Sequence, residues 1–84
     1  MRVVLDTNVV VSGLFFSGPP SVILEEVFSG RVAIVMTDDK FFECAVAGKA
    51  KLIVSGDRHL LDASGTFDVE VLPPRAFVDN YLQG

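Results

Sequence analysis

The chain contains a single cysteine, Cys44, and a single histidine, His59. One cysteine excludes an internal disulfide and every zinc site that is built from several cysteines. With only one histidine besides, the sequence offers no ligand set for soft transition metals. Metal chemistry in this chain would therefore rest on oxygen ligands.

Basic residues are also few. Seven lysines and arginines stand against eleven aspartates and glutamates, which gives a formal net charge of −4 and a pI near 4.6. This balance disfavours the broad electrostatic grip with which nucleic-acid-binding proteins usually hold phosphates. Any chemistry on a nucleic acid would need a recruited cation.

Long hydrophobic runs are missing as well. Runs such as residues 9–11 and 45–47 are far shorter than the roughly 18 residues that span a bilayer. We therefore expect no membrane span. An acidic residue, Asp6, interrupts the first apolar region, which does not fit a secretory signal. The expected location is cytoplasmic.

What the chain does have is apolar bulk. Half of its 84 residues are hydrophobic, which is too apolar a composition for a disordered segment. The length predicts a single domain, residues 1–84, and a domain of this size hides only about 60% of its surface on folding. We therefore expect some of the apolar surface to meet a partner.

Short apolar runs alternate with helix-like segments along the chain. Strands are predicted over residues 3–5, 32–36, 52–54 and 69–72, and helical segments start near residues 7–8, 18–21, 37–39, 58 and 74. The first helical segment is expected to break at Ser12 and Gly13, and the last to extend to Leu82. This alternation predicts an α/β fold, a small parallel β-sheet flanked by helices.

Three aspartates follow three of the predicted strands. Asp6, Asp38 and Asp57 each stand at a carboxyl end, where the crevice of an open parallel sheet lies. Their mutual repulsion would need a cation, and oxygen ligands favour Mg²⁺ or Mn²⁺. Such an ion lowers the pKa of a bound water and stabilises charge on a phosphodiester. We therefore predict that the three aspartates are the metal-binding catalytic residues of a nuclease.

Each of these aspartates also has a simpler structural explanation. Asp38 or Asp39 could serve only as a helix N-cap, and Asp57 before Arg58 could belong to a plain turn. Asp6 is the hardest to explain in this way, because a carboxylate beside a buried strand is costly unless it is bound to something. The prediction depends on the three aspartates together.

Three segments, LDTNVVVSG, DDKFFECAVAGKAKLIVSGDRHLL and VLPPRAFVDNYL, resemble the PIN-domain family, in particular its branch of toxin–antitoxin toxins. The resemblance covers nearly the whole chain and implies a shortened, Rossmann-like PIN fold. It also implies a cytoplasmic endoribonuclease that uses Mg²⁺ or Mn²⁺, acts on RNA, is commonly dimeric and is commonly restrained by an antitoxin protein. By position, Asp6, Asp38 and Asp57 match acidic residues of that family.

The same resemblance implies roles for four further polar residues. Thr7, Asn8 and Ser55 match the small polar residues that surround the family's metal site. Asp39 falls where that branch often has Asn or Asp. These four residues are predicted to surround the metal ligands.

One part of the family pattern is missing. PIN domains carry a helical segment, between the strand matching RVAIVMT and the helix matching DDKFFECA, that supplies a glutamate. Here Thr37 leads directly into Asp38. Loss of helices that cover a sheet leaves apolar surface exposed, which predicts a homo-oligomer. Loss of an acid leaves open an alternative function, a catalytically impaired PIN remnant that acts as a protein-binding or oligomerising module.

Overall fold

The computed structural model describes residues 1–37 and 39–82. Within them, four strands form one parallel sheet in the order β2-β1-β3-β4. The strands are β1 (Arg2–Asp6), β2 (Ala33–Thr37), β3 (Leu52–Val54) and β4 (Glu70–Leu72). The register places Asp6 beside Thr37 and Leu5 beside Val54. The predicted α/β class and parallel sheet are confirmed.

Five α-helices flank the sheet in the described parts of the chain. They are α1 (Thr7–Phe15), α2 (Pro19–Phe28), α3 (Phe41–Ala47), α4 (Arg58–Asp62) and α5 (Pro74–Phe77). A 3-10 turn, Thr66–Asp68, precedes β4, and a π-helical turn, Val78–Leu82, follows α5. The single terminal helix predicted to reach Leu82 is therefore wrong in form, since the α-helical hydrogen bonding changes to π-helical after Phe77.

Two hydrophobic cores lie on the two faces of the sheet. Val3 and Leu5 belong to one core and Val4 to the other, because successive side chains of a strand point to opposite faces. Helices α1, α2 and α5 contribute to the first core and α3 to the second. The continuous apolar run of β1 is thus buried on both sides, as its sequence predicted.

The course of α1 differs from the prediction. The helix does not break at Ser12 and Gly13 but continues to Phe15. A Cβ atom on Gly13 would lie 2.7 Å from the Leu24 Cδ1 and 2.8 Å from the Pro20 carbonyl oxygen. Glycine at this position therefore does not end the helix but lets α1 pack closely against α2.

The start of α3 is a second correction. Asp39 is not its N-cap; that position belongs to Lys40, whose backbone is left-handed (φ 43°) and whose side chain makes no capping hydrogen bond. Asp39 instead closes a turn with Thr37, whose Oγ1 accepts from the Asp39 N–H at 3.2 Å and donates to the Asp39 carbonyl. Asp38, the other predicted cap, lies outside the described residues.

The helix pair α1–α2 carries much of the exposed apolar surface. Phe15, Phe16 and Phe28 are 75%, 69% and 76% exposed. In the described ranges no single helix is long and apolar enough to cross a membrane, and α1 and α2 reach that length and composition only together, across a bend of 96°. Large apolar side chains are therefore exposed at the ends of α1 and α2, while the predicted partner stays a prediction.

Candidate functional site

Two of the three predicted metal ligands lie at the same end of the sheet. Asp6 ends β1, and Asp57 follows β3, which is a direct neighbour of β1. Because the two strands are parallel, their carboxyl ends meet, and we refer to this place as the carboxyl end of the sheet. The third predicted ligand, Asp38, lies outside the described residues. The residue before it, Thr37, pairs with Asp6.

Ser55 connects the two aspartates. Its Oγ donates to Asp6 Oδ2 at 2.8 Å and accepts from the Asp57 backbone N–H at 3.1 Å. The residue is completely buried, and its own backbone N–H donates to the Leu72 carbonyl at 3.0 Å. The Ser55 hydroxyl therefore acts as donor and acceptor at once, and it couples the end of β1 to the loop that follows β3.

Asp6 is buried, with 7% of the residue exposed, and both of its carboxylate oxygens accept hydrogen bonds. Oδ1 accepts from the Asn8 backbone N–H at 3.0 Å, and Oδ2 accepts from Ser55. Asp6 is thereby the N-cap of α1, where the helix dipole favours a negative charge. These contacts offset the cost of a carboxylate beside a buried strand without a bound ion. Each oxygen still has a second lone pair for a cation.

Asp57 is exposed and caps α4. Its Oδ1 accepts from the His59 backbone N–H at 2.7 Å, so the aspartate is an N-cap rather than part of a plain turn. Within the described residues its Oδ2 has no hydrogen-bond partner. Asp57 therefore brings to the carboxyl end of the sheet an exposed oxygen that can bind an ion or a water.

The four predicted surrounding residues differ in their contribution. Ser55 is built into the site, and Asn8 takes part through its backbone N–H. Thr7 is the first residue of α1 and exposed. Asp39 is exposed in its turn with Thr37. Neither Thr7 nor Asp39 makes a hydrogen bond to Asp6 or Asp57 in the part of the chain that the structure describes.

The donor set can be compared with the needs of a hard cation. Among residues 1–37 and 39–82, no group of three or more His, Cys, Asp or Glu side chains is placed to hold a metal ion. The carboxyl end of the sheet supplies two carboxylates, and such a small oxygen-only set fits an ion that keeps several waters, as Mg²⁺ does. The three-carboxylate cluster stays a prediction because Asp38 is outside the described residues.

A groove at the opposite, amino end of the sheet was not predicted. It has a volume of about 640 Å³, and its lining includes Arg2, Lys51, Glu70 and Tyr81. The Tyr81 hydroxyl donates to Glu70 Oε1 at 3.3 Å; desolvation and the Glu70 charge raise the pKa of Tyr81 above its usual 10.0. The sequence could have indicated this groove, because Arg2 and Lys51 each stand at the start of an apolar strand and a parallel sheet brings such positions to one end.

Comparisons with known proteins do not assign the site. No protein-family model, no curated protein and no solved structure matches this chain. The resemblance to PIN domains therefore stays a prediction. The α/β class rests on the parallel sheet itself.

Proposed function

We propose that this chain is a metal-dependent endoribonuclease of the PIN type, which hydrolyses RNA phosphodiesters with Mg²⁺ or Mn²⁺ at the carboxyl end of the sheet. The observation that carries the proposal is the link between Asp6 and Asp57 through the buried Ser55 hydroxyl. Two acids from distant parts of the chain lie at the end of the sheet where open parallel sheets bind their ligands. A toxin role in a toxin–antitoxin pair and a cytoplasmic location belong to the same proposal.

In this proposal Asp6 and Asp57 hold the ion, and Asp38 is the third ligand. A bound divalent ion lowers the pKa of a coordinated water and stabilises charge on phosphate oxygens. The two hydrogen bonds to Asp6 fix its carboxylate in one orientation, which is what a metal ligand needs from its supporting residues. Arg58 follows Asp57 directly and is exposed, and in this proposal it contacts an RNA phosphate.

A second function is favoured by a different observation. Phe15 and Phe16 are adjacent and exposed at the end of α1, and Phe28 is exposed at the end of α2. Exposed apolar surface of sufficient size marks an interaction site. Helix capping alone gives Asp6 and Asp57 a structural role. We therefore propose as the alternative a catalytically impaired PIN remnant that binds an antitoxin protein or a further copy of itself.

Cleavage of RNA by wild type and by Asp6→Asn distinguishes these functions. Asparagine caps a helix about as well as aspartate but removes the charge of the proposed ligand. On a mixed RNA substrate with Mn²⁺ or Mg²⁺, we expect Asp6→Asn to cleave at least about tenfold more slowly than wild type. Changing a residue that only supports a metal ligand already costs about tenfold or more. A chelator should abolish the wild-type activity.

The matched control is Asp79→Asn, which neutralises an exposed acid on the π-helical turn and should cleave like wild type. Circular dichroism must first show that both variants are folded. Equal cleavage by wild type and Asp6→Asn would indicate a contaminating nuclease and count against the enzyme. Absence of metal-dependent cleavage by folded wild type would favour the protein-binding alternative.

A further inference from the structure

Strand β2 is an edge strand with one unpaired side. In the order β2-β1-β3-β4 it pairs only with β1. The Ala33 N–H donates to the Met1 carbonyl at 2.7 Å, so Ala33, Val35 and Thr37 direct their backbone groups towards β1 by the alternation of a parallel ladder. Ile34 and Met36 therefore direct their N–H and C=O groups away from the sheet. In the described part of the chain no hydrogen bond reaches those groups.

This open side of β2 lacks the devices that usually protect an edge. Ala33–Thr37 contains neither a charged residue nor a proline, although charges, prolines and bulges are the common ways of preventing strand addition. The Met36 side chain is 57% exposed. Because the chain has a net charge of −4, two copies can approach at an uncharged strand with less repulsion than at an acidic surface. The edge is therefore open to another strand.

We propose that β2 pairs antiparallel with β2 of a second copy of this chain, around a two-fold axis at Val35. The register follows from the outward backbone groups. Ile34 of one copy lies opposite Met36 of the other, and each such pair exchanges two N–H···O hydrogen bonds. The two copies of Val35 then face each other as a non-hydrogen-bonded pair. The dimer has one continuous sheet, and both edge strands become interior strands.

The charges beyond the two ends of β2 favour this orientation. Arg31 precedes the strand, and its side chain is 69% exposed although its Nε pairs with Glu26. Asp39 follows the strand and is exposed. Both residues are the same number of positions from Val35, so the antiparallel register brings Arg31 to the same end as Asp39 of the second copy. A parallel pairing would instead bring equal charges together.

The two-fold arrangement also favours a second copy of this chain as the strand that adds to the edge of β2. A closed dimer uses the same surface twice, and the outward groups of Ile34 and Met36 are complementary to themselves only in this way. An extended peptide from another protein could add to the same edge by β-augmentation, but it would not supply the complementary Arg31 and Asp39 ends. That occupant is therefore an outcome of the test rather than the proposal.

Met36→Lys tests the interface, because lysine on an edge strand deters strand addition and Met36 is already exposed. The molar mass is measured by sedimentation or light scattering at micromolar to submillimolar concentration. We expect wild type to have twice the 9.1 kDa mass of the chain and Met36→Lys to have half the mass of wild type. The matched control is Phe67→Lys, which adds the same charge at a 68% exposed site in the 3-10 turn before β4, at the opposite edge of the sheet, and should stay dimeric.

Amide hydrogen exchange tests the register independently. In wild type the amides of Ile34 and Met36 should be protected, and dilution should remove that protection while Val35, bonded to β1, stays protected. A monomeric wild type would overturn the proposal, as would a dimer that survives Met36→Lys or one in which Ile34 and Met36 exchange freely. Dissociation by Phe67→Lys as well would show that the contact is not specific to β2 and would also overturn the proposal. None of these outcomes depends on ribonuclease activity.

Discussion

Replacing Phe77 by alanine is expected to lower the free energy of unfolding by about 3–5 kcal/mol, the usual cost of removing a buried phenylalanine ring. Phe77 is completely buried and heads the fully buried side chains in the described residues by volume. It belongs to the core that contains Val3, Leu5 and Ile23, so its loss would leave a cavity between α5, α2 and the sheet. A small domain has a total stability near the lower end of about 5–15 kcal/mol, so this variant should retain only about 0–2 kcal/mol.

Urea denaturation followed by circular dichroism measures this loss. The matched control is Tyr81→Ala, since the Tyr81 ring stacks on Phe77 with centroids 5.5 Å apart and planes 28° apart but is 42% exposed. We expect the control to lose about 0.5–1.5 kcal/mol of stability from the ring contact. A further small loss should come from the part of the Tyr81 ring that is buried. If Phe77→Ala cost no more than Tyr81→Ala, the arrangement of the core around α5 would be wrong.

Replacing Ser55 by alanine is expected to cost about 2–4 kcal/mol, a large effect for the removal of one oxygen atom. The variant loses the hydrogen bond to Asp6 and the one from the Asp57 N–H. Asp6 Oδ2 would then lack a donor in a site that is only 7% exposed. An unsatisfied buried group costs about 1–3 kcal/mol, and more when it is charged. The end of β1 and the loop after β3 would also lose their connection.

The comparison for this variant is Ser29→Ala. The Ser29 hydroxyl also donates a hydrogen bond, to the Glu26 carbonyl at 2.9 Å, but at an exposed site. Its removal should change the free energy of unfolding by less than about 1 kcal/mol, because water replaces the lost partner. Urea midpoints of the two variants give the difference directly. Similar losses would mean that Ser55 does not bridge buried groups.

The strands could be predicted because their apolar runs are local. Residues 3–5 form an uninterrupted apolar run of the kind that a strand covered on both faces requires. The behaviour of Gly13 could not be predicted in the same way. Whether a glycine ends a helix or admits a neighbour depends on what packs against it, here Leu24 and Pro20, and that contact is not visible in a local pattern.

Prediction of the site had the same limit. The strand-end positions of Asp6 and Asp57 follow from the sequence, since Asp6 comes directly after an apolar run and Asp57 follows one by three residues. The role of Ser55 requires that β1 and β3 are neighbours, and strand order depends on contacts between distant segments. The open edge of β2 follows from the same order. Local sequence therefore indicated which residues could meet, and the topology determined which of them do.

Titration with Mn²⁺ followed by NMR is the most direct test of the proposed cation site at the carboxyl end of the sheet. Paramagnetic Mn²⁺ broadens the signals of nearby amides, so we predict saturable broadening at Asn8, Ser55 and Asp57, with little effect at Lys51 at the opposite end of β3. Asp6→Asn should need at least about ten times more Mn²⁺ to reach the same broadening. Broadening that is absent, evenly spread over the chain or unchanged in Asp6→Asn would contradict the proposed site.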